Sequence, residues 1–219
     1  MSTRQIKGVV LAGGKSSRFG EDKALALWDG KTLLERVVNL LGDLQLDPVV
    51  IANLNRDYSF LSCPVFNDEI PEKGPLGGLY TAGSLFPEVT LLVLTCDMPF
   101  LTAPALKQLI KSHTASAEAT VFSIEGKTQP FPGIYEPALK MLILNRLESG
   151  ELSMRSFLSC IFQRKVIDAR DLKVFQNVNY PEDLDLTVTE VDSQQSYKWG
   201  GRRGSNPRPQ GPQPCALTN

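Results

Sequence analysis

The chain has 219 residues, with 23 Lys+Arg, 24 Asp+Glu, one His and a formal net charge of −1. That value joins two unlike parts: Ser193–Asn219 holds four of the basic residues and no acid, for +4, while Met1–Asp192, with 19 basic and 24 acidic residues, stands at −5. An acidic body argues against non-specific nucleic-acid binding, and no stretch approaches the ~18 apolar residues of a membrane span.

In chain order, Ile6–Leu11 is an apolar run that ends at Ala12-Gly13-Gly14 and reads as a buried strand. Thr32–Leu41 carries apolar residues at helical spacing, with Gly42 as its stop. Pro48–Ala52 and Pro64–Phe66 are strands, and Pro75–Phe86 is a helix of small residues. Thr90–Thr95 is the most apolar strand and runs into Cys96-Asp97-Met98-Pro99. Thr102–Ser112 reads as a helix with Thr102 as N-cap and Pro104 in its first turn. Ala119–Ile124 and Gly133–Tyr135 are strands, Pro137–Glu148 and Glu151–Cys160 helices, Lys165–Ile167 a strand and Pro181–Leu186 a terminal helix.

No internal repeat is visible. Strands alternating with helices predict an α/β three-layer sandwich, with a mostly parallel sheet covered on both faces. Residues 1–192 suit a single domain. The tail, 193–219, combines four Gly and four Pro with its Arg residues and reads as disordered, because it cannot bury enough apolar surface to offset its chain entropy. It is either a solvated extension or a basic arm for RNA or acidic lipid. Met1–Lys7 is polar and Val9–Ala12 is too short for the apolar core of a signal peptide. Cys63, Cys96, Cys160 and Cys215 form no metal-ligand pattern and fit a reducing cytosol. His113, the single histidine, is expected at a helix end in solvent, which leaves no histidine-based triad.

In such sheets ligands bind at the carboxyl ends of the strands. The first strand opens into Leu11-Ala12-Gly13-Gly14-Lys15-Ser16-Ser17-Arg18-Phe19-Gly20-Glu21-Asp22-Lys23. Its glycines and hydroxyls let backbone N–H groups face an anion, and Arg18 and Lys23 add charge. Neither a P-loop nor a G-x-G-x-x-G spacing is present. The same residues could form a plain turn with surface cations. Asp97 is either a metal carboxylate or a turn residue. Asp68 precedes Gly74-Pro75-Leu76-Gly77-Gly78, where glycines permit close approach of a ligand, of the sheet, or of both. Asn53 and Asn55, and Asn177 and Asn179, could present amides to a ligand or close turns. Brought to one sheet edge, these groups would serve a nucleoside triphosphate with Mg²⁺, a chemistry of positioning and charge neutralisation.

Leu11-Ala12-Gly13-Gly14, Arg18-Phe19-Gly20 and Lys23 resemble the signature of the nucleotidyltransferase-like superfamily. With Gly74-Pro75-Leu76-Gly77-Gly78, Cys96-Asp97-Met98-Pro99 and Asn177-Val178-Asn179 before Pro181-Glu182-Asp183-Leu184, the chain resembles the molybdenum cofactor guanylyltransferases of the MobA type from about Gly8 to Leu186. It departs from their common pattern at Gly77 and Phe19, where Ala and Met are usual, and the tail has no counterpart. The resemblance implies transfer of GMP from GTP to the terminal phosphate of Mo-molybdopterin, with release of pyrophosphate. It implies GTP contacts from Leu11, Ala12, Gly13, Gly14, Lys23, Asn53, Asp68, Gly74 and Asp97. Catalysis would rest on Arg18, Lys23 and Asp97, with Asp97 binding Mg²⁺. Arg155, Asn177 and Asn179 would face molybdopterin. Gly13, at the third position of the first motif, favours guanine over cytosine by the same analogy. Transient contacts with cofactor-biosynthesis proteins and recipient molybdoenzymes, no nucleic-acid or membrane partner, and a cytoplasmic location complete the expectation. The rivals are another nucleotidyltransferase of this fold, using CTP or a small phosphate substrate, and a non-catalytic GTP- or cofactor-carrier module.

Overall fold

The computed structural model describes residues 5–13, 23–53, 56–178 and 183. The expected terminal helix at 181–186, apart from Asp183, and the tail at 193–219 lie outside them.

The strands are β1 (Ile6–Leu11), β2 (Leu27–Trp28), β3 (Lys31–Thr32), β4 (Val49–Ala52), β5 (Val65–Asn67), β6 (Thr90–Thr95), β7 (Ala119–Ile124), β8 (Lys127–Tyr135) and β9 (Arg164–Asp168). The α-helices are α1 (Leu33–Asp43), α2 (Gly74–Leu85), α3 (Ala103–Ser112), α4 (Lys140–Glu148) and α5 (Met154–Cys160). Seven strands form one sheet in the order β5-β4-β1-β6-β8-β7-β9, and β2 and β3 form a separate hairpin. The ladder is parallel from β5 to β6 and between β7 and β9, while β8 pairs antiparallel with both β6 and β7. The sheet is therefore mostly parallel, as the alternation of elements requires.

The central strands are apolar on both faces because both faces are covered. On one side Val10, Val50, Leu92 and Leu94 pack with Leu34, Val38 and Leu41 of α1 and Leu106 and Leu109 of α3. On the other, Val9, Leu11, Ile51, Leu91 and Val93 pack with Leu76 and Leu79 of α2, Ile143 of α4 and Phe157 of α5. Alternate residues of one strand thus serve opposite cores, which makes the three layers.

Several boundaries differ from the sequence reading. Gly42 does not stop α1; the helix continues to Asp43 and closes when the Leu44 N–H donates to the Gly42 carbonyl. Its start is a capping box: Thr32 Oγ1 accepts the Glu35 N–H at 3.0 Å, and Glu35 Oε2 accepts the Thr32 N–H at 2.8 Å. Thr102 stands at the N-cap position of α3 without a side-chain cap bond. Pro137–Glu148 divides into a 3-10 turn at Pro137–Leu139 and α4. The helix expected from Glu151 begins at Met154, where Ser153 caps it by accepting the Ser156 N–H.

The larger correction is β8. It spans nine residues rather than three and forms a hairpin with β7 around Glu125 (φ 50°) and Gly126 (φ 75°), both in the left-handed region that such tight turns demand. His113 also differs: it caps α3 as expected, but its side chain is buried, not solvated. Its Nε2 lies 2.8 Å from Glu136 Oε1 and its Nδ1 lies 2.8 Å from Thr120 Oγ1. This cluster sits at the start of β6 and β7 and the end of β8, the edge opposite the one described next.

Candidate active site

β1, β4, β5 and β6 all end at one sheet edge, and β7 arrives there before β8 leaves it. The polar residues that follow these strands are brought together by the parallel register itself, which pairs Leu11 with Ile51 on one side and with Thr95 on the other.

β1 delivers Leu11 and Ala12, both buried, and then exposed Gly13. The Ala12 N–H donates to the Ile51 carbonyl at 2.9 Å, extending the ladder by one bond. Among the described residues beyond its chain neighbours, no atom lies within 4 Å of a methyl group built on Gly13. Its backbone is exposed, which suits the approach of a flat ligand. Asn53 is exposed one residue beyond β4. Asp68 follows β5, and its Oδ1 accepts the Ile70 N–H at 3.1 Å and the Thr81 hydroxyl at 2.7 Å. Asp68 therefore ties the end of β5 to α2, and its Oδ2 lies 3.6 Å from where a Cβ would stand on Gly77.

α2 starts at Gly74, whose φ of +63° is one that side chains rarely adopt. Its next glycines answer the ambiguity in the sequence. A Cβ at Gly78 would stand 3.0 Å from the Leu11 side chain, and one at Gly77 would stand 2.7 Å from the Ile70 carbonyl. These two let the helix lie close on β1 and on the loop after β5. The N-cap residue of α2, Lys73, makes no side-chain cap bond to the first turn, whose N–H groups carry the partial positive charge of a helix start.

Asp97 follows β6. Thr95 Oγ1 donates to its Oδ1 at 2.5 Å, and Lys23 Nζ donates to its Oδ2 at 3.3 Å. The two side chains are 25% and 15% exposed, so the pair is shielded yet reachable. The Val178 N–H donates to the Asp97 carbonyl at 2.9 Å, which draws the late segment holding Asn177 across the end of β6. Burial, with the Asp97 charge beside it, pushes the Cys96 thiol up to about 12. Cys96 is therefore a protonated spacer and not a nucleophile at neutral pH.

Asp97 opens onto a cavity of about 420 Å³, a volume within the usual range of small-molecule sites. Thr95 lines it from the end of β6 and Met98 from the turn beyond, Gln129 and Phe131 from β8, and Ser153 and Arg155 from the N-terminus of α5, with Phe175 and Asn177 beside them. Asp97, Arg155 and Asn177 thus line one opening, although they are far apart in the chain, and Lys23 reaches it through its bond to Asp97. Gly14, Arg18, Asn55 and Asn179 lie outside the described residues. Thr95, Gln129, Phe131 and Ser153 escaped the sequence reading. Thr95 had a visible cue, a hydroxyl two places before Asp97, while Gln129 and Phe131 lay in a stretch whose strand character is hidden by Pro130 and Pro132.

Among the described residues no three His, Cys, Asp or Glu side chains cluster as a protein-only metal site. A magnesium ion carried by phosphates needs only one or two carboxylates and keeps several waters. Asp97 fits that mode.

A mostly parallel sheet with its polar cluster at the strand ends, and a Lys–Asp pair at the mouth of a cavity, defines a nucleotidyltransferase-like enzyme. Residues 8–166 match the MobA-like NTP transferase domain, and the chain belongs to that family. A Flavobacterium johnsoniae protein named "Probable molybdenum cofactor guanylyltransferase" is 32% identical over 182 residues, covering 82% of this chain and 95% of its own. A Bacillus cytotoxicus protein of the same name is also 32% identical, over 194 residues covering 85% and 98%. The crystal structure of molybdopterin-guanine dinucleotide biosynthesis protein A from Archaeoglobus fulgidus matches with a TM-score of 0.70 at 22% identity, over 82% of this chain and 95% of that one, and shows the shared fold. No helix among the described residues is long and apolar enough to cross a membrane.

Proposed function

We propose that this enzyme is a molybdenum cofactor guanylyltransferase: it joins GMP from GTP to the terminal phosphate of Mo-molybdopterin. The carrying observation is that Asp97, bonded to Lys23, lines a cavity together with Arg155 and Asn177. The printed names of the relatives support the same reading.

GTP lies along the strand ends. Its guanine rests over the backbone at Leu11, Ala12 and Gly13, with Asn53 and Asp68 beside the nucleoside. Gly74 lets the first turn of α2 approach the phosphates, and the uncapped N–H groups there suit negative charge. Gly14 and Arg18, between β1 and Lys23 in sequence, are assigned to the triphosphate. Molybdopterin enters the cavity on the β8–α5 side, where Arg155 and Asn177 receive it, and Asn179 is assigned to the same substrate. A terminal phosphate oxygen of molybdopterin then attacks the α-phosphorus of GTP. The new P–O bond forms as the bond from the α-phosphorus to the bridging oxygen breaks, and that oxygen leaves with its electron pair as part of pyrophosphate.

Before binding, Lys23 and Asp97 neutralise each other. A solvent-accessible pair of this kind is worth no more than about 1 kcal/mol, so phosphate can take Lys23 at little cost. Lys23 then stabilises the charge that develops on the departing pyrophosphate, as does Arg18. Asp97, held by Thr95 through Oδ1, would hold Mg²⁺ through its carboxylate. When bound, that ion would supply charge neutralisation to the triphosphate. No side chain need become a covalent nucleophile, in keeping with the protonated Cys96.

The deciding experiment incubates the protein with Mg²⁺, Mo-molybdopterin and either GTP or CTP, and measures pyrophosphate. Release with GTP that depends on molybdopterin is expected. Equal use of CTP would overturn the guanine assignment. Binding of GTP without pyrophosphate release would instead favour a carrier module.

A further inference from the structure

Lys23 and Asp97 sit on two loops that are distant in the sequence, yet the distance between their side chains decides how both act. A lysine has a flexible four-carbon stem, so its position depends on how firmly its backbone is anchored. Besides the ion pair itself, an aromatic contact joins these two loops.

Lys23 opens a 3-10 turn, Lys23–Leu25, whose first carbonyl accepts the Ala26 N–H at 3.2 Å. Ala26 in turn accepts the Leu33 N–H at 3.0 Å, at the first residue of α1. Between these residues runs the β2–β3 hairpin, closed by Asp29 (φ 50°) and Gly30 (φ 75°). Trp28 stands on that hairpin, and its ring meets Phe100 edge to face, with centroids 5.0 Å apart and planes at 76°. Phe100 lies three residues beyond Asp97, next to the turn in which the Leu101 N–H donates to the Met98 carbonyl at 3.2 Å. Arg36 of α1 supports Trp28: its guanidinium lies 4.0 Å from the ring centroid, and its Nη1 donates to the Trp28 carbonyl at 3.2 Å. An edge-to-face aromatic pair with a cation over one ring has a defined geometry, unlike a generic apolar contact.

We infer that Trp28 and Phe100, with Arg36 supporting Trp28, form a clamp that holds the Lys23 loop against the Asp97 loop and so sets the Lys23–Asp97 geometry. None of the three is argued to touch substrate; they are positioning residues. The catalytic part of this inference rests on the guanylyltransferase reading, whereas the geometric part does not.

Two measurements test it on the full chain. The first is a double-mutant cycle in urea unfolding, in which Lys23→Met and Asp97→Asn report the coupling between the two side chains. The coupling is expected in the wild-type background, lost with Trp28→Leu and restored with Trp28→Phe. A coupling unchanged by Trp28→Leu, or absent from the wild type, overturns the clamp. Phe100→Leu repeats the cycle from the other loop should Trp28→Leu fail to fold. The second is pyrophosphate release. Trp28→Leu is expected to lower kcat roughly ten- to hundredfold, the penalty of a misplacement near 1 Å, and to add no further loss once Lys23 is already Met. Additive losses overturn action through Lys23. A wild type that releases no pyrophosphate while its coupling still depends on Trp28 would sink the enzyme reading and leave the clamp standing.

Discussion

Lys23 Nζ stands 3.3 Å from Asp97 Oδ2 across 74 positions of sequence, and the other oxygen of that carboxylate takes the Thr95 hydroxyl. The pair holds both charges in a shielded place, with side chains 15% and 25% exposed. In the proposed reaction the incoming triphosphate would separate them.

The roles of the pair predict distinct defects. Asp97→Ala should lower pyrophosphate release on the order of a hundredfold or more, while circular dichroism stays that of a folded protein. Lys23→Met should lower kcat more than it raises the KM for GTP, because its contact strengthens as pyrophosphate departs. Normal turnover in the Asp97 variant would end the assigned metal role.

Gly13 is exposed, and among the described residues beyond its chain neighbours no atom lies within 4 Å of an added methyl. Gly13→Ala should therefore leave the melting temperature almost unchanged and act only on the ligand. We expect a higher KM for GTP and a smaller preference for GTP over CTP, read by parallel titrations. An unchanged preference would move base selection away from this residue.

Arg155 lines the cavity from the first turn of α5, away from the strand ends of β1 and β4. Arg155→Ala should raise the KM for molybdopterin roughly tenfold or more, the worth of a charge-assisted contact to phosphate, and should leave the KM for GTP alone. A defect confined to GTP would reverse the assignment of the two halves.

Stability on the acid side has an identified contributor in Glu35. Its carboxylate accepts the Thr32 N–H, chiefly for that reason its pKa lies below the ordinary 4.5, and the charged form is favoured in the folded state. Its contribution is therefore present above pH 4.5 and is lost as pH falls through the lowered folded value. Glu35→Gln should destabilise the protein at neutral pH, with the difference from wild type shrinking in acid, as followed by urea unfolding from pH 7 downward. Thr32→Ala should cost about 1 kcal/mol with far less pH dependence. A Glu35→Gln difference that stays constant with pH would place the effect in packing.

Much of this organisation is written locally. Runs such as Ile6–Leu11 and Thr90–Thr95 are apolar at every position because both faces are buried, and they end abruptly at polar residues. A short-range pattern therefore reveals the parallel strands, and with them the edge that gathers Lys23, Asp68 and Asp97. β8 was legible only over Gly133–Tyr135, because its first half is partly exposed and interrupted by Pro130 and Pro132. The two-residue strands of the Trp28 hairpin are too short to show any period.

His113 marks the boundary most plainly. Lys111-Ser112-His113-Thr114 is a polar stretch that reads as solvent-facing. Burial comes from Glu136 and Thr120, which β7 and β8 bring within 2.8 Å of the ring. The same holds at the site. Sequence alone determined the residue types, the strand ends and the need for local positive charge. Tertiary structure decided that Lys23 lies on Asp97, that Arg155 and Asn177 share a cavity with Asp97, and that Trp28 reaches Phe100. Hydrophobic patterning is a property of neighbours along the chain. A contact between remote side chains depends on strand order, register and helix approach, and these are settled only when the whole core closes.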